Sequence, residues 1–139
     1  MTLVDTNILL DLVTNDPAWA DWSIEQMEAA ALAGPLLIND AIYAELSVRY
    51  QRIEDVDAFI DEAGLLVMPM PREALFLAAK VFTQYRRAGG ARTGVLPDFF
   101  IGAQAAVQQW PLLTRDARRY QSYFPTVTLI APDMLKTHR

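Results

Sequence analysis

Gly34-Pro35-Leu36-Leu37-Ile38-Asn39-Asp40 holds a helix stop, a short apolar strand and a helix cap in seven consecutive residues. Glycine followed by proline ends a helix: glycine adopts terminal conformations that other residues resist, and proline lacks the N–H that the next turn needs. Leu36-Leu37-Ile38 is a brief, unbroken apolar run bounded by breakers, the pattern of a strand buried on both faces. Asn39 and Asp40 then offer side-chain oxygens to the free N–H groups of a following helix.

Outward from this stretch the same alternation repeats. Residues 18–33 upstream and 41–51 downstream are helix candidates, as are 55–63, which stops at Gly64, and 98–109, which follows Pro97 and stops before Pro111. Residues 72–88 carry Leu75, Ala78, Ala79 and Phe82 on one expected face and end at Gly89-Gly90. Between them lie further strand-like runs at Leu3-Val4, Leu65-Leu66-Val67, Leu112-Leu113 and 127–130. Strands alternating with helices predict a parallel sheet covered by helices on both faces, a three-layer α/β/α sandwich with four to five strands. The length of 139 residues suits one domain spanning 1–139, without repeat or linker. The stretch 88–95, with three glycines, is the expected mobile loop.

Composition narrows the chemistry. The chain has no cysteine, which excludes disulfides, thiolate-bound metals and thiol nucleophiles. Its one histidine, His138, is next to last and reads as tail. A bound metal would therefore be a hard ion on oxygen ligands. No basic and apolar leader opens the sequence, and no run of about 18 apolar residues occurs, so a cytoplasmic protein without a membrane span is expected. The net charge of −5 argues by itself against a polyanionic partner. Its distribution points the other way: residues 1–73 hold 14 acids and three bases, whereas residues 74–139 hold three acids and nine bases. Such asymmetry suits either a basic face for nucleic acid or two ordinary solvated faces.

Four acids stand where chemistry is to be expected. Asp5 ends the first strand and Asp116 follows the Leu112-Leu113-Thr114 strand, so both fall at strand carboxyl ends, where open α/β sheets bind ligands. Helix capping is the alternative for each. Asp98 opens a helix after Pro97, with Ile101, Gly102 and Ala105 on its face, and the helix dipole alone would favour an acid there. Glu45 lies a turn into its helix, three residues from both Ile42 and Val48; an apolar setting and an exposed face remain open for it. Four carboxylates brought close together repel one another, so either their pKa values rise or a cation joins them. With neither cysteine nor a well-placed histidine, a divalent ion on oxygen ligands resolves the repulsion, and such ions organise phosphoryl chemistry.

At these residues the sequence resembles a PIN domain. The matching pieces are Val4-Asp5-Thr6-Asn7-Ile8-Leu9-Leu10, Ile38-Asn39-Asp40 leading to Ala44-Glu45-Leu46, Pro97-Asp98-Phe99-Phe100-Ile101-Gly102-Ala103-Gln104-Ala105, and Leu112-Leu113-Thr114-Arg115-Asp116 leading to Tyr120, Tyr123, Phe124 and Pro125. Their order and separations cover nearly the whole chain, and its length is similar to that of small bacterial toxins of the VapC type. The resemblance implies an Mg²⁺- or Mn²⁺-dependent endoribonuclease whose catalytic acids are Asp5, Glu45, Asp98 and Asp116. Asn7 matches a position that helps orient the site in this family, and Thr114 matches its polar residue before the last acid; the mechanism expected on this basis has Asp5, Asp98 and Asp116 hold the ion, with Glu45 acting directly or through water. The resemblance also implies a homodimer held inactive by a cognate antitoxin, as in type II VapBC-like pairs. One departure bears on groove shape: Phe99-Phe100 is bulkier than the small residues expected after the third acid.

Arg86, Arg87, Arg92, Arg115, Arg118 and Arg119 flank Asp98 and Asp116 in sequence and are the candidates for gripping an RNA backbone; an ordinary surface charge is the alternative for each. Trp19, Trp22, Phe76 and Phe82 read as core or dimer interface, and Tyr120, Tyr123 and Phe124 as packing for the last strand. Two other functions compete: a PIN nuclease for structured or ribosomal RNA without an antitoxin, and a non-catalytic metal- or phosphate-binding module. Phosphate-acceptor domains on similar sheets want a lysine on a late strand, and here the lysines are Lys80, mid-helix, and Lys136, in the tail.

Overall fold

The computed structural model describes residues 1–92 and 96–132. Residues 93–95 of the expected 88–95 loop, and 133–139 with Lys136 and His138, lie outside the described residues. In chain order the elements are β1 (Thr2–Val4), α1 (Thr6–Val13), α2 (Ala20–Ala33), β2 (Leu36–Asn39), α3 (Asp40–Ser47), α4 (Ile53–Glu62), β3 (Leu65–Met68), α5 (Arg72–Arg87), α6 (Pro97–Gln108), β4 (Leu112–Leu113), α7 (Arg118–Gln121) and β5 (Leu129–Ile130).

The strands form one sheet in the order β3-β2-β1-β4-β5, and every pairing is parallel. The register sets Leu3 beside Leu37 and Leu112, and Leu113 beside Ile130. Consecutive strand residues point to opposite faces, yet Leu3, Val4, Leu37, Ile38, Leu112 and Leu113 are all fully buried. Both faces of the sheet centre are therefore covered, as an all-parallel sheet requires. Each such leucine contributes about 2 kcal/mol by leaving water.

The chain steps outward from β1 through β2 to β3, then crosses back to place β4 on the other side of β1. The β1–β4 boundary is thus where strand order reverses. In open α/β sheets, ligands bind outside the carboxyl ends of the strands at such a reversal.

Most expected elements are present, and three differ. The helix α1 lies outside the five helix candidates. It is only eight residues long, too short a stretch for the 3.6-residue period to stand out in the sequence. In α5 the buried face is Ala74, Ala78 and Val81, rotated from the expected one; Leu75 and Phe76 are exposed, so Phe76 belongs to no core. In β3 only Leu65 is buried, because this strand lies at the sheet edge.

Local chemistry explains where the site-bearing helices begin. Asn39 caps α3 by accepting a hydrogen bond from the Ile42 N–H at 3.0 Å. Pro97 opens α6, where its missing N–H costs nothing and its fixed φ suits the first turn. Phe99, one residue past Asp98, turns into a cluster of rings with Phe82, Tyr85 and Tyr123. It is 5% exposed, so the bulk seen in the sequence at this position packs α6 onto α5 and the segment that follows α7. Gly102 on the same helix lets the Phe124 ring lie directly on the backbone, since a Cβ there would stand 2.4 Å from that ring.

Candidate active site

Asp5 is the hub. It directly follows β1, and its own N–H donates to the Leu113 carbonyl at 2.9 Å, which ties it to the neighbouring strand. One carboxylate oxygen accepts the Thr6 N–H at 2.7 Å, capping α1. The other accepts the Thr114 hydroxyl at 2.8 Å and the buried Tyr120 hydroxyl at 2.9 Å. Capping and a polar site are thus both served by the same side chain. Burial lifts the Asp5 pKa from 3.8 to about 6, against the hydrogen bonds from Thr114, Tyr120 and Thr6, with the Asp98 charge pushing the same way as burial.

Thr114 follows β4 and connects the site. Its hydroxyl, besides donating to Asp5, accepts from the Asp116 N–H at 3.1 Å and from the Asn7 amide at 3.3 Å. Asn7 in turn accepts the Arg115 N–H at 3.2 Å. Thr114 and Asn7 together hold the turn after β4 against the start of α1.

Glu45 reaches the same region from α3. It is half-buried and accepts the Thr6 hydroxyl at 2.6 Å. Burial raises its pKa, and the Asp98 charge adds to the rise. Asp98, on the first turn of α6, is raised by burial and then by the Asp116 charge, with Arg119 pulling the other way. The four acids come from the junction of β1 and α1, from α3, from α6 and from the turn after β4, and mutual repulsion couples Asp98 to each of the other three.

The six arginines separate into different settings. Arg119 is inside the acid group: its Nε lies 2.9 Å from Asp116 and its Nη1 3.4 Å from Asp98. Burial would lower its pKa, but the charges of Asp98, Asp116 and Asp5 outweigh that and raise it. Arg115 turns toward α1, with Nε 2.9 Å from the buried Asp11 and its guanidinium over the Trp19 ring. That contact is a close charge pair whose angle misses a hydrogen bond. Arg86 donates to the carbonyls of Gly90 and Arg92 and so braces the loop after α5. Arg87, Arg92 and Arg118 are exposed.

Three participants were not singled out for this role by sequence reasoning. Tyr120, expected only to pack the last strand, is fully buried and donates to Asp5. Thr6 holds Glu45, and its place next to Asp5 was the available signal. Asp11, 2% exposed, accepts the Ser23 hydroxyl at 2.7 Å and pairs with Arg115, the neighbour of Thr114 and Asp116.

As they stand, no three of the acids among the described residues converge on one point that an ion could share. The donor set nevertheless suits a hard divalent cation: carboxylate oxygens with neither sulfur nor imidazole, two of them on partly exposed side chains.

No curated protein matches the chain by sequence. Among solved structures, VapBC2 from Rickettsia felis, bound to a DNA fragment from its promoter, is similar at a TM-score of 0.71 and 18% identity, with 94% of this chain and 97% of that one covered. FitAcB from Neisseria gonorrhoeae is similar at a TM-score of 0.65 and 16% identity, covering 94% and 96%. A toxin-antitoxin complex from Klebsiella pneumoniae gives 0.63 and 20%, covering 92% and 96%. These likenesses concern the fold. The sequence profile of the PIN domain matches residues 2–124, which takes in all four acids and four of the five strands, β1 to β4. The chain belongs to the PIN domain family.

Proposed function

We propose that this protein is a metal-dependent endoribonuclease and the toxin of a type II, VapBC-like toxin–antitoxin pair. The observation that carries the reading is that Asp98 feels the charge of each of Asp5, Glu45 and Asp116, four acids from separate parts of the chain, beside the strand-order reversal of the sheet. Such an assembly costs folding energy through burial and repulsion, and a structural role does not repay it. PIN domains are nucleases, which supports hydrolysis of a phosphodiester as the use.

In this reading Asp5, Asp98 and Asp116 hold Mg²⁺ or Mn²⁺, and Glu45 assists directly or through water. When bound, the ion supplies charge for the phosphate oxygens and a more acidic water. The chain's own groups do the rest. Thr114 and Tyr120 hold the Asp5 carboxylate in one orientation, and Asn7 and Thr114 fix the turn that carries Asp116. Thr6 aims Glu45, whose raised pKa suits it to take a proton from an attacking water. The exposed Arg87, Arg92 and Arg118 are the arginines best placed to meet an RNA backbone, in a contact that salt weakens.

A cognate antitoxin as partner is supported by the toxin-antitoxin complex among the similar folds. A homodimer and a cytoplasmic location belong to the same reading; no helix among the described residues is long and apolar enough to cross a membrane. One PIN domain over residues 1–139 is likewise part of it.

The test is incubation of total RNA with the purified chain in Mg²⁺, in Mn²⁺ and in EDTA, beside Asp5→Ala and Asp98→Ala variants whose folding is checked by melting. Discrete metal-dependent fragments, absent with both variants, are expected. No cleavage by the wild type together with no ion binding by calorimetry would overturn the catalytic reading and favour a binding module.

A further inference from the structure

Arg119 is the one arginine of the six candidates that contacts members of the acid quartet. Its guanidinium bridges two elements: Nε reaches Asp116 at 2.9 Å and Nη1 reaches Asp98 at 3.4 Å. It stands in the first turn of α7, three residues after Asp116, which lies just before that helix, so the shorter pair spans the helix start. Its side chain is 50% exposed, which leaves it room to swing outward. The oxygens it engages belong to two of the three acids assigned to the ion. A carboxylate oxygen in close contact with a guanidinium has that much less of its field to offer a second cation, and two cations at one spot repel. The acids, meanwhile, do not converge on a single point while the bridge is in place.

We infer that Arg119 is a built-in counter-cation of the acid site, which exchanges with the divalent ion: the guanidinium neutralises the cluster in the ion-free protein and must leave Asp98 and Asp116 when the ion binds. The inference rests on the reading of those acids as ion holders. It gives the ion-free protein a defined resting state and sets the ion affinity below what the carboxylates alone would provide. It also reassigns Arg119 from a passive RNA-gripping charge to a group whose availability to a phosphate depends on the ion.

The experiment measures Mn²⁺ binding by calorimetry, and melting in EDTA, for the wild type, Arg119→Gln and Arg119→Lys. Removing the competitor is expected to tighten Mn²⁺ binding about tenfold in Arg119→Gln, within the usual range for coupled sites. The same variant is expected to melt lower than wild type in EDTA, with the loss recovered on adding Mn²⁺. Arg119→Lys keeps the charge and should lie between the two. Mn²⁺ affinity equal to or weaker than wild type in Arg119→Gln would overturn the exchange while leaving the ion site intact. A melting temperature in EDTA that does not fall in Arg119→Gln would overturn the counter-cation role independently of any ion. No Mn²⁺ binding by any of the three would overturn the exchange and the ion-site reading together.

Discussion

Asp5 should make the ion-free protein lose stability as pH rises through the weakly acidic range. Its carboxyl group is 2% exposed, and burial lifts its pKa from 3.8 to about 6. The unfolded chain gives up this proton near the ordinary carboxylate value, whereas the folded chain keeps it for about two further pH units. Between those values the folded state binds more protons, so raising the pH draws the equilibrium toward unfolding. The stabilisation is fully present below about pH 4 and lost as pH passes about 6. Two units at about 1.4 kcal/mol each put the loss at about 3 kcal/mol. Glu45 and Asp98, also raised, act in the same direction. The assay is urea denaturation in EDTA across this range, wild type beside Asp5→Asn. The asparagine cannot ionise, and its amide NH₂ opposes one of the N–H or O–H donors now facing Asp5, at a cost of about 1–3 kcal/mol. Acid effects elsewhere cancel in the difference between the two proteins. The wild type should therefore lead at about pH 4.5 and lose most of that lead by about pH 7.5. A difference that stays constant over the range, or one that grows with pH, would refute burial as the dominant influence on Asp5.

Three further outcomes are expected. Tyr120→Phe removes a hydroxyl that favours the ionised carboxylate, so the Asp5 transition should move to higher pH and neutral-pH stability in EDTA should fall by about 1 kcal/mol, measured by the same titration. Arg115→Ala leaves Asp11 buried without its cation and Trp19 without its stacked guanidinium; thermal denaturation should show a loss of about 2–3 kcal/mol, below the range for a fully buried pair because Arg115 is 29% exposed. Gly102→Ala drives a methyl group into the Phe124 ring, and calorimetric melting should report a loss of about 1–3 kcal/mol as that ring shifts off α6.

The sequence by itself determined the alternation of elements and the candidate acids. Gly34-Pro35, Asn39 and Pro97 act through backbone conformation and capping, which are local, and so the last turn of α2 and the starts of α3 and α6 could be read directly, whereas α3 stops at Ser47, short of the expected residue 51. The apolar runs at Leu3-Val4, Leu36-Leu37-Ile38 and Leu112-Leu113 are legible for a related reason: a strand covered on both faces has no polar alternation to blur it. Position at strand and helix ends singled out Asp5, Asp98 and Asp116. Only the tertiary structure decided what these residues do to one another. The strand order that sets β4 against β1 joins Asp5 to Thr114 and Tyr120 across more than a hundred residues, a contact to which no local pattern refers. The rotation of α5, the exposure of Phe76 and the edge position of β3 depend likewise on which neighbours cover each element. The arginines show the division most clearly. All six carry the same charge in the sequence, but α7 turns Arg119 back onto Asp98 and Asp116, and α1 presents Asp11 to Arg115, because a charge is committed by whatever opposite charge the fold brings within its reach.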